Sequence, residues 1–271
     1  FAMPAHVFAQ VVRAAPAQSV ELRFGKQLTV HSGSFKTNIQ LVDPSQMPQI
    51  EFPEEYSTRV DAAAFARAIS SVRYAAAMAE FQAIFRGLAL EQRNGKARLV
   101  ATDGFRLAYT DLEADLGLEK PVVVMAKIAD ELTRFLGGGE VEIAFPQQRR
   151  LSVRGESFRM NLSLMEGNFP DYERVIPAQF PLQVKVRAKE FVAAVNRVSL
   201  MAEKTANNRV DMLVKGGQVT LTAEGSMGRS QEILDVEQSG PEPEMILAFN
   251  AIVAAGMRPI SNVVDITNYV M

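Results

Sequence analysis

The sequence predicts an α+β fold made by repeating one unit, a short helix followed by several antiparallel strands. Internal similarity carries this expectation. Val20–Ile50 (VELRFGKQLTVHSGSFKTNIQLVDPSQMPQI) resembles Val141–Tyr172 (VEIAFPQQRRLSVRGESFRMNLSLMEGNFPDY), with Ser34-Phe35-Lys36 against Ser157-Phe158-Arg159 and Met47-Pro48 against Phe169-Pro170. A second pair alternates with the first: Arg59–Ala76 (RVDAAAFARAISSVRYAA) and Val186–Glu203 (VRAKEFVAAVNRVSLMAE). Hairpin signals follow the second pair at Asn94-Gly95 and Gly216-Gly217, dipeptides that accept the positive φ of tight β-turns.

In chain order, Met3–Pro16 reads as an amphipathic helix that precedes the strands of Val20–Ile50. In Arg59–Ala76, Phe65, Ile69 and Val72 recur at i, i+4, i+7 and form one apolar stripe. GLALEQRNGKARLVATDG then reads as a hairpin turning at Asn94-Gly95, and Asp103-Gly104 signals a further turn into LAYTDLE. Met125–Gly138 gives the third helix, with Gly137–Gly139 as its C-terminal cap and turn. Phe191, Val195 and Val198 repeat the stripe in the fourth helix, and VDMLVKGGQVTLTAEG the hairpin. The repeat distance is about 120 to 126 residues, and two units make one domain. The expected organisation is the second half of a first domain at 1–53, a complete second domain at 54–180, the first part of a third at 181–251, and a distinct tail at 252–271. On this count the chain starts mid-repeat, lacking the beginning of its first domain.

Of 271 residues, 48% are hydrophobic and 22% charged, the balance of an ordinary globular protein. Absence of cysteine excludes disulfides and thiolate metal sites. The two histidines, His6 and His31, leave little room for imidazole metal sites or Ser-His-Asp chemistry. No apolar run reaches bilayer-spanning length and Phe1 onward does not read as a signal peptide, so a cytoplasmic location is expected. Gly25-Lys26 and Gly95-Lys96 lack the earlier glycine of a phosphate-binding loop. Asp103 and Asp171 read as turn residues. With no catalytic constellation, metal site or cofactor signature, the chain reads as a binding or scaffold protein and not as an enzyme.

Net charge is −2 and pI about 5.9, which is not the overall signature of a nucleic-acid binder. The helices nevertheless share a polar, partly basic face opposite the apolar stripe. It comprises His6, Gln10 and Arg13; then Arg67, Ser70 and Ser71, with Arg73 beyond; then Lys127, Glu131 and Arg134; then Lys189 and Asn196, with Arg197 adjacent. Each alone reads as a solvated helix face. Arranged on the inside of a ring or arc, they could follow a phosphate backbone without reading bases.

Within VATDGFRLAYTDLE a large aromatic, Phe105, and a cation, Arg106, follow the turn signal. Either Phe105 folds back on the core or the tip forms part of a surface pocket. VATDGFRLA, with LMEGNFPDYERVIP (Leu164–Pro177), FRGLALE (Phe85–Glu91) and SQEILDVEQSGPEPEMILAFNA (Ser230–Ala251), resembles the β sliding clamps of bacterial DNA polymerase III. The similarity runs from about Phe1 to Ala251. It implies the DNA clamp, or processivity, fold: three domains per chain and a homodimeric ring around duplex DNA, bound without sequence preference. It implies no catalysis and no cofactor. The implied partners are the polymerase III α subunit, the clamp loader and other proteins carrying a clamp-binding peptide. By resemblance, Phe85, Thr102, Gly104, Phe105, Arg106, Leu107, Pro170 and Val175 line the peptide pocket, and Arg13, Arg67, Arg73, Lys127, Arg134, Lys189 and Arg197 face DNA. Phe105 stands where some relatives carry His, which bears on peptide preference.

From Ile252 the pattern changes. IVAAGMRPISNVVDITNYVM (Ile252–Met271) resembles a segment of the phenylalanyl-tRNA synthetase β subunit. The alternative expectation is therefore a chimeric or fragment chain with a foreign tail and no competent ring.

Overall fold

The computed structural model describes residues 2–46, 50–78, 83–176, 182–203, 208–240 and 247–250, the last four and Gln148 by backbone only. The chain divides into two compact units, Phe1–Phe52 and Pro53–Met271.

In the first unit, helix α1 (Ala5–Arg13) accompanies a three-stranded antiparallel sheet of β1 (Glu21–Phe24), β2 (Gln27–Ser32) and β3 (Phe35–Gln40), in that order. Alternation along β2 turns Leu28 and Val30 inward with Ile39 of β3, and Met3, Val7, Phe8 and Val11 pack against them. The helix is shorter than the Met3–Pro16 pattern because Pro4 precedes its first turn and Ala14 closes it.

Two four-stranded antiparallel sheets occupy residues 58–163. One runs in the order β11 (Arg159–Ser163), β10 (Arg150–Arg154), β9 (Glu140–Ala144), β4 (Thr58–Asp61). The other runs β7 (Leu107–Leu112), β6 (Lys96–Thr102), β5 (Gly87–Arg93), β8 (Val122–Met125). Helices α2 (Ala62–Val72) and α3 (Ala126–Thr133) touch each other and both sheets. Their stripe residues Phe65, Ile69, Val72 and Leu132 join Leu88, Leu90, Leu99, Ile143, Leu151 and Val153 in one core. Asp61 caps α2 by accepting from the Ala64 amide at 2.6 Å.

The alternating repeat reappears beyond residue 182. Helix α4 (Ala188–Val198) lays Phe191, Ala194 and Val198 on a sheet ordered β15 (Gly228–Asp235), β14 (Gln218–Gly225), β13 (Arg209–Lys215), β17 (Leu247–Asn250). This is the order of β7-β6-β5-β8. A short pair, β12 (Gln183–Lys185) with β16 (Glu237–Ser239), flanks it. Both expected two-residue turns are present, with φ 49° and 79° at Asn94-Gly95 and 60° and 73° at Gly216-Gly217. The Asp103-Gly104 signal marks a different structure: Thr102 pairs with Leu107, so four residues form the connection. The tail at 252–271 and the Met47-Pro48 pairing lie outside the described residues.

Gly87 opens β5 where the chain is tightest. A Cβ there would lie 2.2 Å from Val123 Cγ1 and 2.9 Å from Met165 Sδ. Gly87→Ala is expected to destabilise this part of the fold by about 1–3 kcal/mol, the usual range for overpacking. A lower urea midpoint at unchanged m-value would show it. A wild-type midpoint would mean that Val123 and Met165 move aside at no cost.

Candidate functional site

The β6–β7 connection is held by its own side chains. Asp103 Oδ1 accepts from the amides of Phe105 and Arg106, each at 3.0 Å, and Oδ2 accepts from Arg106 Nε at 2.8 Å. Thr102 Oγ1 accepts from the Gly104 amide at 3.1 Å and donates to the Arg106 carbonyl at 2.7 Å. Gly104, at φ 90°, reverses the chain where a side chain would be strained. Asp103 is thus a turn-forming residue, as its sequence context predicts. Phe105 does not fold back on the core; it is 97% exposed at the tip of this loop. Arg106 is half-buried and spends its Nε inside the loop. Tyr74, in the 3-10 turn Arg73–Ala75, has its hydroxyl pKa raised by burial, an effect that the nearby Arg106 charge opposes.

The second group of predicted residues lies on the segment after β11. Leu164 bridges to Val124, and the Met165 amide donates to the Val123 carbonyl at 2.7 Å. Met165, Phe169, Tyr172 and Ile176 then pack across the face of the β7-β6-β5-β8 sheet that points away from the helices, over Ala89, Val100 and Val123, with Ile84 and Leu107 in the same cluster. Leu107 therefore shares one apolar cluster with this segment. Pro170 is half-buried between Phe169 and Tyr172, and Val175 is half exposed beside Ile176. Phe85 is half-buried next to Ile84, and its carbonyl accepts from the Ala77 amide at 2.8 Å. Of the expected pocket residues, Leu107 lies in this apolar cluster, while Phe85, Pro170 and Val175 are the sequence neighbours of its members Ile84, Phe169 and Ile176. Thr102 and Asp103 shape the loop, and Phe105 stands outside the cluster.

A charged network beneath this segment escaped the sequence reading. The row after Ala89 and Val100 pairs Glu91 with Arg98 and Arg98 with Asp111. The Tyr172 hydroxyl donates to Glu91 Oε1; these residues are 6% and 8% exposed. Arg93 Nε reaches the same oxygen at 3.1 Å, and Arg93 also pairs with Glu173 at 2.9 Å. Arg98 forms two bonds to Asp111, at 2.7 and 3.0 Å, and lies 4.6 Å over the Tyr109 ring. Burial, and then the Glu91 bond, push the Tyr172 hydroxyl up to about 12. Asp111 is held below the usual carboxylate range by its bonds from Arg98. The available signal was Glu91 in GLALE, a charged residue directly after the apolar run Leu88–Leu90 of β5.

On the helices, His6, Gln10 and Arg13 are all exposed on α1. Arg67 is exposed on α2; Ser70 and Ser71 are half-buried, and Ser71 donates to the Ala68 carbonyl at 2.8 Å. Lys127, Glu131, Lys189 and Asn196 are exposed. Three of the expected DNA-facing cations are committed to carboxylates: Arg73 to Asp130 at 3.0 Å, Arg134 to Glu131 at 2.9 Å, and Arg197 to both oxygens of Glu232 on β15. Arg197 accordingly holds the Glu232 carboxyl below its ordinary range. Among the described residues, Arg13, Arg67, Lys127 and Lys189 carry no ion pair. Exposed pairs of this kind are worth about 0–1 kcal/mol, so a phosphate can compete for the paired arginines. Among the described residues no His, Cys, Asp and Glu cluster could hold a metal ion, and no helix is long and apolar enough to cross a membrane.

Asp103→Ala removes three bonds from the loop at once. It is expected to speed amide exchange at Phe105 and Arg106 at least tenfold and to cost about 1–2 kcal/mol of stability. Unchanged exchange at these amides would show that Thr102 alone holds the turn.

Residues 59–171 match the family model for the DNA polymerase III beta subunit, central domain, and residues 173–252 match that for its C-terminal domain. The β sliding clamp of Micrococcus luteus is 32% identical over 222 residues, 79% of this chain and 70% of the relative. That of Salmonella typhimurium is 26% identical over 276 aligned residues, 98% of this chain and 71% of the relative, an alignment that extends into residues 252–271. A solved clamp from Bartonella birtlesii, bound to griselimycin, superposes with TM-score 0.78 at 25% identity, covering 92% of this chain and 69% of that one. The repeated helix-and-sheet units, with their matches to central and C-terminal clamp domains, make this chain a member of the β sliding clamp family, the DNA polymerase III beta subunits.

Proposed function

We propose that the chain is a non-catalytic processivity factor: it follows duplex DNA through helix faces and docks short partner peptides at the β6–β7 loop. Family membership carries the first half of this reading. The observation that carries the second is Phe105, exposed at the tip of a loop closed by Asp103 and Thr102, two residues before Leu107, which lies in the apolar cluster with Phe169 and Ile176. An extended peptide would bury apolar anchors against these groups. Phe85, Thr102, Gly104, Arg106, Pro170 and Val175 complete the proposed pocket, with Thr102 and Gly104 acting through loop shape. The proposed domains are 1–53, 54–180 and 181–251. The proposed partners are duplex DNA, the polymerase III α subunit, the clamp loader, other proteins with clamp-binding peptides, and a second copy of the clamp. The proposed compartment is the cytoplasm.

Griselimycin, the ligand of the Bartonella birtlesii clamp, serves as a probe for the pocket. Phe105→Ala and Leu107→Ala are each expected to weaken its affinity about tenfold, as loss of a buried anchor does, with little change in the thermal transition for Phe105→Ala. Wild-type affinity in both variants, measured by calorimetry, would move the pocket elsewhere. Arg106→Ala is a mixed test, because it also removes the bond to Asp103.

For DNA, the ion pairs make the cations unequal. Arg67→Glu with Lys189→Glu is expected to weaken duplex binding and to flatten the dependence of log K on log salt by about one per lost phosphate contact. Arg197→Glu would additionally set two carboxylates face to face with Glu232 and is the less clean probe. Unchanged anisotropy titrations across salt would leave Arg67 and Lys189 as solvated surface only.

A further inference from the structure

We infer that Tyr172 is a positioning residue for the peptide pocket: its hydroxyl, held by Glu91, fixes the segment bearing Pro170 and Val175 against the sheet before any ligand arrives. The inference rests on the pocket reading above.

The segment needs such a tie. At its start the Met165 amide bonds to Val123. Glu166, Gly167 and Asn168 are then exposed, and Gly167 at φ 116° turns the chain. From there to Ile176 the described backbone bond is internal, from the Ile176 amide to the Glu173 carbonyl at the end of the 3-10 turn Tyr172–Val175. The far end is therefore attached to the sheet through side chains. Phe169 and Ile176 contribute apolar contacts, which resist lifting but permit sliding. Tyr172 adds a directional tie. Its ring lies in the cluster with Ala89, Val100 and Val123, and its hydroxyl reaches the next row of the sheet, at Glu91. Glu91 is itself fixed by Arg93, which also pairs with Glu173 on the same turn. Both partners are buried, so removing the hydroxyl takes away a bond that water does not replace. Pro170 sits two residues before this anchor and Val175 three after it, so its register decides where both stand.

The test compares Tyr172→Phe, which keeps the ring and removes only the hydroxyl, with Val175→Ala, Leu107→Ala and the Tyr172→Phe/Val175→Ala double variant. Tyr172→Phe is expected to weaken griselimycin binding about fivefold, the scale of one lost hydrogen bond, and to speed amide exchange at Glu173 and Val175 in the free protein while distant core amides keep their rates. In the Val175→Ala background its effect on affinity is expected to shrink, because one of the two contacts it positions is already gone. Unchanged exchange at the 3-10 turn, unchanged affinity, or fully additive losses in the double variant would each overturn the inference. If Leu107→Ala and Val175→Ala weaken binding while Tyr172→Phe does not, this inference alone fails. If both bind like the wild type, the pocket reading fails and takes the inference with it.

Discussion

The centre of the β7-β6-β5-β8 sheet is buried on both faces, and much of the rest follows from that constraint. From Gly87 to Glu91 every residue of β5 is buried, and so is every residue of β6 from Leu99 to Thr102. One face lies on α2 and α3. The other can only be dry if something covers it, and the 165–176 segment does so. Leu107, the first residue of β7 after the β6–β7 loop, lies in the same apolar cluster as that cover. The proposed peptide site is thus a consequence of packing: the edge of a cover laid on a two-sided sheet.

The sheet of residues 209–250 has the same strand order but a different hydrophobic pattern. β13 alternates exposed and buried residues from Arg209 to Lys215, and β14 does the same. On its outer face Leu213 pairs with Thr220 and Thr220 with Ile233, a row in which Leu213 and Ile233 remain exposed. One topology therefore carries two burial regimes, as GLALE and RLVAT against VDMLVK and QVTLTAE foretell: continuous apolar runs for two buried faces, alternation for one.

Local features were legible for local reasons. Asn94-Gly95 and Gly216-Gly217 formed two-residue turns because both positions need positive φ. The helical stripes Phe65-Ile69-Val72 and Phe191-Val195-Val198 fell on the core side because their spacing leaves one apolar face. Asp103-Gly104 looked alike but behaved differently, since Asp103 and Thr102 supplied side-chain bonds that stabilise a longer loop. What stayed hidden was pairing at a distance. Tyr172 and Glu91 are 81 residues apart, and Arg197 and Glu232 are 35 apart. No periodicity encodes such contacts; they follow from which strand lies beside which. Asp130, which pairs with Arg73, and Glu232, which pairs with Arg197, come from other elements and were hidden in this way; Glu131, three residues before Arg134, lies on the same helix.

The same long-range ties bear on how a flat surface site can hold a flexible peptide. A partner that folds onto the clamp loses conformational freedom, and any freedom lost by the clamp adds to that cost. Both proposed walls already have low freedom. The β6–β7 loop is closed by Asp103 and Thr102, and the covering segment is fixed by Tyr172 and Glu173. Phe105 is the exception, projecting from a rigid base with only its own torsions to settle. Its large apolar area is the group with most to gain on burial, at about 25 cal/mol per Å² removed from water. In the proposed site, walls closed by their own side-chain bonds and one exposed aromatic would let a single ring, and not the backbone, adapt to related peptides.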